Sequence, residues 1–248
     1  MTGKIGGLQI NYRIQGEGTP LLILHGWGGS LESWKPVQEI LSAGYKVVCP
    51  DLPGFGKSEA PLEPWDVSDY EKWTLEFLNY LKIRKCHLLA HSFGGRVAVK
   101  LSADRPGKIS KLILCSPAGV MDSGLKKKTI ELAVCAGKRI PLGFFKKTAR
   151  KILHFLLRKK DYVKAQGVMR ETFKKVVEED LSGYLDRIKS KTLIVWGRKD
   201  KMVPVKQAYF FHERIENSEL EILKKRGHSP HLEEPEELVN LLLKFLKI

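Results

Sequence analysis

An α/β fold with a mostly parallel sheet is predicted by three features of the sequence. Short apolar runs suited to strands alternate with stretches of helical periodicity along most of the 248 residues. Several of these runs, at 20–24, 109–115 and 192–196, are nearly continuous in apolar residues, as strands covered on both faces must be. The alternation then breaks: from 119 to about 186 only helical stretches occur, and strand signal resumes at 192. The predicted organisation is one core built from 1–118 and 187–248, with a helical insertion at 119–186.

Taken in order, residues 8–14 alternate apolar and polar like a strand with one wet face, and Gly6-Gly7 before them suits a hairpin turn. The buried run at 20–24 ends in His25-Gly26-Trp27-Gly28-Gly29, a loop whose plainest reading is a glycine-rich strand-to-helix turn. A helix is expected over 31–41 and a strand over 46–49, running into Asp51-Leu52-Pro53-Gly54-Phe55-Gly56-Lys57-Ser58. Pro and Gly stiffen that turn, and Asp51 suits local backbone bonding rather than catalysis. A helix over 69–81 carries Tyr70, Trp73, Phe77 and Tyr80 at three-to-four spacing, which reads as core.

At 86–98 the chain reads C-H-L-L-A-H-S-F-G-G-R-V-A, a strand, a tight turn and a helix with Ser92 at the apex. Strand and helix backbones nearly touch in such a turn, so small residues are needed two before and two after the serine. Ala90 and Gly94 meet that need, and Gly95 adds clearance. A serine that merely caps a helix is the competing explanation. After the insertion, the strand at 192–196 leads into Gly197-Arg198-Lys199-Asp200-Lys201-Met202-Val203-Pro204. A strand at 220–223 leads into Gly227-His228-Ser229-Pro230-His231, and Pro235 opens a final helix.

These motifs, in this order, resemble the α/β-hydrolase superfamily over essentially the whole chain, least in the insertion. The elbow is similar to G-x-S-x-G, with Ala90 replacing the first glycine by one extra methyl. The resemblance implies an eight-stranded, mostly parallel sheet flanked by helices, with 119–186 as a helical cap over the serine. It implies a triad of Ser92, Asp200 and His228, in the chain order given for this fold. His231 is the alternative base, but G-H-S-P-H-L-E-E-P matches the family's G-H-x-x-x-x-E-x-P with His228 after the glycine. It further implies an oxyanion hole from the backbone N–H groups of Trp27 and Phe93, supported by His25, Gly26 and Gly94, with no metal or organic cofactor. Of the remaining histidines, His25 is expected to pack its own loop and His91 to orient the elbow. A serine nucleophile excludes the epoxide-hydrolase and dehalogenase branches, which use aspartate there.

Composition bounds the setting. Apolar residues make up 43% of the chain, enough for a large core. The start is polar and glycine-rich, without the apolar stretch of a signal peptide or membrane span, so a cytoplasmic protein with no transmembrane segment is expected. Cys49, Cys86, Cys115 and Cys135 sit in apolar runs with no close pair, as reduced, mostly buried thiols do. The formal charge of +15 is concentrated: residues 124–175 hold 16 Lys and Arg against three acids.

The expected activity is cleavage of small to medium acyl esters through an acyl-enzyme. Lactone, thioester or C–C bond hydrolysis on the same triad are alternatives, the last disfavoured because the H-G loop lacks that branch's Pro and Asn. The H-G-W-G loop and the D-L-P-G-F-G-K-S turn look like those of carboxylesterases, including ones that act on esters held by an acidic carrier protein. Lys126 to Lys128, Lys146, Lys147, Arg150, Lys151 and Arg158 to Lys160 offer a surface for such a carrier or another anionic surface, against the plainer reading of a solvated helix face. Within that stretch Phe145, Ala149, Ile152, Leu153 and Leu156 form one apolar stripe, suited to the core or to an anionic membrane. A hydrolase-fold protein that binds an acidic partner without turnover is the alternative of another class. No nucleic-acid specificity is expected.

Overall fold

The computed structural model describes residues 1–120 and 167–246. Eight strands form one sheet: β1 (Thr2–Ile5), β2 (Leu8–Gln15), β3 (Pro20–Leu24), β4 (Lys46–Pro50), β5 (Cys86–His91), β6 (Ile109–Cys115), β7 (Lys191–Gly197) and β8 (Ser218–Leu223). Their spatial order is β1-β2-β4-β3-β5-β6-β7-β8. Only the β1–β2 and β2–β4 pairings are antiparallel; the other five are parallel. The helices are α1 (Lys35–Leu41), α2 (Val67–Tyr80), α3 (Ser92–Asp104), α4 (Val168–Glu178), α5 (Lys206–Arg214), the single turn α6 (Pro230–Glu233) and α7 (Pro235–Leu246).

The central strands β3 and β7 read as nearly all apolar because each feeds two cores at once. Along β3, Leu22 and Leu24 join the cluster that holds α2, α3 and α5, while Leu21 and Ile23 join the one that holds α1 and α7. The same alternation runs along β7, with Ile194 and Trp196 on the first face and Leu193 and Val195 on the second. Successive side chains leave a strand on opposite faces, so a strand between two helical layers has few positions left for a polar residue.

Local structure refines several expectations. The predicted 31–41 helix is a 3-10 turn (Leu31–Trp34) that becomes α1 only at Lys35, where Pro36 fits the first turn. Helix α2 starts earlier than expected, because Asp66 caps it by accepting from the Ser68 and Asp69 N–H groups while Asp69 returns a bond to the Asp66 N–H. Tyr70, Trp73 and Phe77 are core, as their spacing suggests, but Tyr80 is half exposed at the helix end, edge-on to Tyr12. Cys49, Cys86 and Cys115 are buried free thiols; burial pushes the Cys86 thiol up to about 12. Cys135 lies outside the described residues.

The parallel register levels the strand ends that matter. Leu24 pairs with Ala90, His91 with Cys115, Cys115 with Val195 and Gly197 with Leu223. The loops after β3, β5, β7 and β8 therefore leave the sheet along one edge. Most of the predicted 119–186 cap, with its basic run and apolar stripe, lies outside the described residues. Its described ends meet where the Leu181 N–H donates to the Gly119 carbonyl at 2.8 Å. Arg96 of α3 donates to the Glu179 carbonyl at 2.9 Å, and Lys100 pairs with the Glu179 carboxylate at 2.6 Å. Burial lowers the Arg96 guanidinium to about 10, against the nearby charges of Glu179 and Asp180.

Candidate active site

Ser92 is the first residue of α3 and holds a φ of +49°. A side chain in that left-handed region is strained by roughly 1–3 kcal/mol, held here by its surroundings. The packing explains both the strain and the small residues. A Cβ on Gly94 would collide with the Leu24 carbonyl oxygen, and one on Gly95 would lie 2.7 Å from Pro117 Cβ. Gly94 N–H donates to the His25 carbonyl at 3.1 Å, and Ala118 N–H to the Ser92 carbonyl at 3.0 Å. Ala90 is fully buried on β5, so the extra methyl is accommodated within the core.

The Ser92 hydroxyl is not bonded as a helix cap. Its Oγ lies 2.9 Å from Nε2 of His228, and His228 Nδ1 lies 2.7 Å from Oδ2 of Asp200. The other oxygen of Asp200 accepts from the N–H groups of Met202 at 2.7 Å and Val203 at 2.8 Å. That carboxylate is thus fixed from both sides, with its side chain fully out of water. The Asp200 and His228 loops are themselves held together. Arg198 N–H donates to the Leu223 carbonyl at 2.9 Å and Lys199 N–H to that of Arg226 at 2.8 Å, while a Cβ on Gly197 would strike the Gly227 carbonyl oxygen.

His231, the alternative base, sits elsewhere. It is buried and stacks face to face on Trp34 at 4.1 Å, and burial, then the neighbouring His228 and His25, lower its imidazole to about 3. His25 does more than pack its own loop. Its Nε2 accepts from the Leu52 N–H at 2.9 Å, so Nδ1 carries the proton and donates to the Gly26 carbonyl at 2.8 Å. Asp51 likewise reaches far beyond its own turn: Oδ1 accepts from the Leu31 N–H at 2.7 Å, and Oδ2 from Asn11 Nδ2 and the Lys57 N–H, each at 2.8 Å. It fastens the loop after β4 to β2 and to the start of the 31–34 turn.

Trp27 stands beside Phe93, ring centres 5.2 Å apart, with Phe55 at 4.8 Å and Phe173 of α4 at 4.9 Å. Helix α4 is fastened over the loop after β4: Trp65 N–H donates to Thr172 Oγ1 at 3.1 Å, and Lys175 Nζ to the Pro64 carbonyl at 2.7 Å. Phe55 and Phe173 escape sequence reasoning, since an isolated Phe in a turn and another on a basic helix carry no distinguishing pattern. The Phe93 N–H lies in the first turn of α3, where backbone donors have no carbonyl four residues back to satisfy them.

The buried imidazoles set an acid limit on the fold. Burial lowers His25, His91 and His231 below the ordinary 6.5. Unfolding returns these rings to water, where each takes a proton near pH 6.5, so the unfolded chain binds more protons and stability falls as pH falls through that value. Each ring contributes up to about 1.4 kcal/mol per pH unit until its folded form also protonates. Urea unfolding followed from about pH 7 to about pH 5 should show this loss. His231→Phe, which keeps a ring on Trp34 but removes one titrating group, should show a shallower one; equal slopes would contradict the assignment.

The model of the α/β hydrolase fold family matches residues 19–157 and 157–235. The chain belongs to the α/β-hydrolase family. A monoacylglycerol lipase of Bos taurus is 30% identical over 254 residues, which span 91% of this chain and 74% of that protein. Among solved structures, an enol-lactonase from Burkholderia xenovorans superposes with a TM-score of 0.79 at 21% identity, over all of both chains. A membrane phospholipase A described as a bacterial virulence factor reaches the same TM-score at 24% identity, over 99% of this chain and 84% of that one. Membership of the α/β-hydrolase family and the 30% identical lipase support hydrolytic activity; the two solved structures show the shared fold. No described helix is long and apolar enough to cross a membrane.

Proposed function

We propose that this α/β-hydrolase cleaves carboxylic esters of small to medium acyl groups through a covalent acyl-enzyme. The observation that carries the reading is the continuous chain of contacts Ser92 Oγ, His228 Nε2, His228 Nδ1, Asp200 Oδ2, at 2.9 and 2.7 Å. Ser92 Oγ attacks the ester carbonyl carbon while His228 Nε2 takes its proton; Asp200 holds the Nδ1 proton and stabilises the resulting cation. The carbonyl oxygen becomes an oxyanion that accepts from the N–H groups of Trp27 and Phe93, donors fixed before reaction. Collapse of this intermediate breaks the C–O bond, and His228 returns the proton to the leaving alcohol. Water, deprotonated by the same imidazole, then attacks the acyl-enzyme and releases the acid and free Ser92.

Ester chemistry agrees with the lipase name carried by the relative at 30% identity. The rings of Trp27, Phe55, Phe93 and Phe173 pack on one another beside Ser92, apolar surroundings compatible with an acyl chain. Lactones and thioesters present the same carbonyl to the same groups, so a panel of p-nitrophenyl esters, lactones and thioesters of graded chain length resolves the preference. The expected result is turnover of esters together with a fluorophosphonate adduct on Ser92. No turnover, with no adduct at residue 92, would overturn the proposal in favour of a non-catalytic binding protein.

A further inference from the structure

We infer that His91 is a positioning residue that holds the loop bearing His228 against the nucleophile, through a hydrogen bond from its ring to the His228 backbone. This rests on the reading of Ser92 and His228 as nucleophile and base. The ring Nε2 of His91 lies 2.8 Å from the His228 carbonyl oxygen. A carbonyl only accepts, so Nε2 carries the proton. Consecutive residues 91 and 92 therefore grip both ends of residue 228, His91 its backbone and Ser92 its imidazole, across 137 and 136 positions of sequence. Other ties on this loop are more exposed or lie to either side of His228. The Glu233 carboxylate accepts from the Gly227 N–H at 2.7 Å and the Ser229 N–H at 3.2 Å at exposed positions, the Lys199 N–H donates to the Arg226 carbonyl at 2.8 Å, and the Leu232 and Glu233 N–H groups donate to the Ser229 carbonyl at 2.9 and 3.0 Å. His91 supplies a part-buried tie to the backbone of residue 228 itself, and it starts from the strand that sets the position of Ser92.

The His91 ring is itself immobilised. A Cβ on Gly26 would lie 2.8 Å from its Nδ1, and its centre lies 4.6 Å from the ring of His231 and 4.9 Å from that of His228. His231 is in turn clamped against Trp34. A glycine is thus needed at 26 for the fit of His91 as well as for the loop. Burial, followed by the neighbouring His231 and His228, holds the His91 imidazole well below the ordinary value, so it stays uncharged. A neutral ring at this distance leaves the His228 cation of the reaction unopposed, which a lysine or arginine bonding the same carbonyl would not.

His91→Gln places an amide N–H near the position of Nε2, whereas His91→Met has similar length and no donor. Loss of the tie frees the imidazole to leave its alignment with Ser92, so His91→Met should lower kcat roughly 10- to 100-fold with KM changed by less than about twofold. His91→Gln should recover most of that loss, and the rate of fluorophosphonate labelling should follow the same order. Nitrogen-15 imidazole spectra supply a readout that needs no turnover: the His228 Nδ1 proton bonded to Asp200 should exchange faster in His91→Met than in His91→Gln or the unaltered protein. Should His91→Met not fold, His91→Asn, whose amide is too short to reach the carbonyl, takes its place. Equal behaviour of the Gln and donor-less variants in both rate and proton exchange would reduce His91 to packing. An unaltered protein without turnover or labelling would instead remove the proposed chemistry, and the exchange comparison would still decide whether His91 fixes His228.

Discussion

Ser92→Ala is expected to lower ester turnover by roughly 10⁴- to 10⁶-fold while leaving the melting temperature nearly unchanged. The substitution deletes a single atom, Oγ, whose recorded partner is His228 Nε2. Alanine bears the same backbone strain at φ +49°, and the Ser92 carbonyl still receives its bond from Ala118. On the proposed mechanism, what remains is an imidazole with no hydroxyl to deprotonate and backbone donors with no covalent intermediate to stabilise. If Ser92 and His228 act as one unit, as proposed, His228→Ala should cost a similar factor, and the double variant little more than either alone. His231→Ala should be far milder in kcat, since its ring stacks on Trp34 while the Ser92 hydroxyl faces His228 Nε2. Initial rates on the best ester of the panel, with a fluorophosphonate count of active sites, measure all four. Retention of more than about a hundredth of the activity by Ser92→Ala would contradict its role.

Much of this arrangement is legible in the sequence because parallel strands make it local. A strand buried on both faces has to be apolar throughout, so β3 and β7 announce themselves, and whatever follows their last residue is on the edge where loops converge. Ser92, Asp200 and His228 each sit within five residues of the end of a parallel strand, and parallel pairing brings them to one side. Gly94 is legible for a related reason, as the place where strand and helix backbones approach, whereas the close approach at Gly197 to the Gly227 carbonyl is seen only in the fold. Contacts fixed only by the assembled fold are not legible. Nothing in Asp51 or its turn indicates that it receives bonds from Asn11 and Leu31, and Tyr80 keeps the helical spacing of its buried neighbours although α2 ends under it. His91 and Phe173 take their partners from residues 137 and 146 positions away, distances over which no spacing rule operates.

Asp200→Asn is the substitution that separates orientation from presence, and it is expected to lower turnover by roughly 10⁴-fold, toward the milder end of the Ser92 range. Asp200 Oδ1 accepts two backbone N–H bonds, from Met202 and Val203. In asparagine only the carbonyl oxygen can take that position, because an amide NH₂ there would face two donors. The NH₂ group is then turned toward His228 Nδ1, the atom whose proton Oδ2 accepts at 2.7 Å in the unaltered protein. A donor at that point forces Nδ1 to accept, which moves the ring proton to Nε2. There it faces Ser92 Oγ and blocks the lone pair that would have taken the serine proton. The variant therefore keeps every side chain near its place yet holds the base in the wrong tautomer. Substrate binding should persist with KM changed little, and nitrogen-15 imidazole spectra should show the His228 proton transferred from Nδ1 to Nε2. If Asp200→Asn kept more than about a tenth of the activity, the carboxylate would be serving the 200–203 turn through its two backbone bonds, and the tautomer of His228 would have to be set by another group.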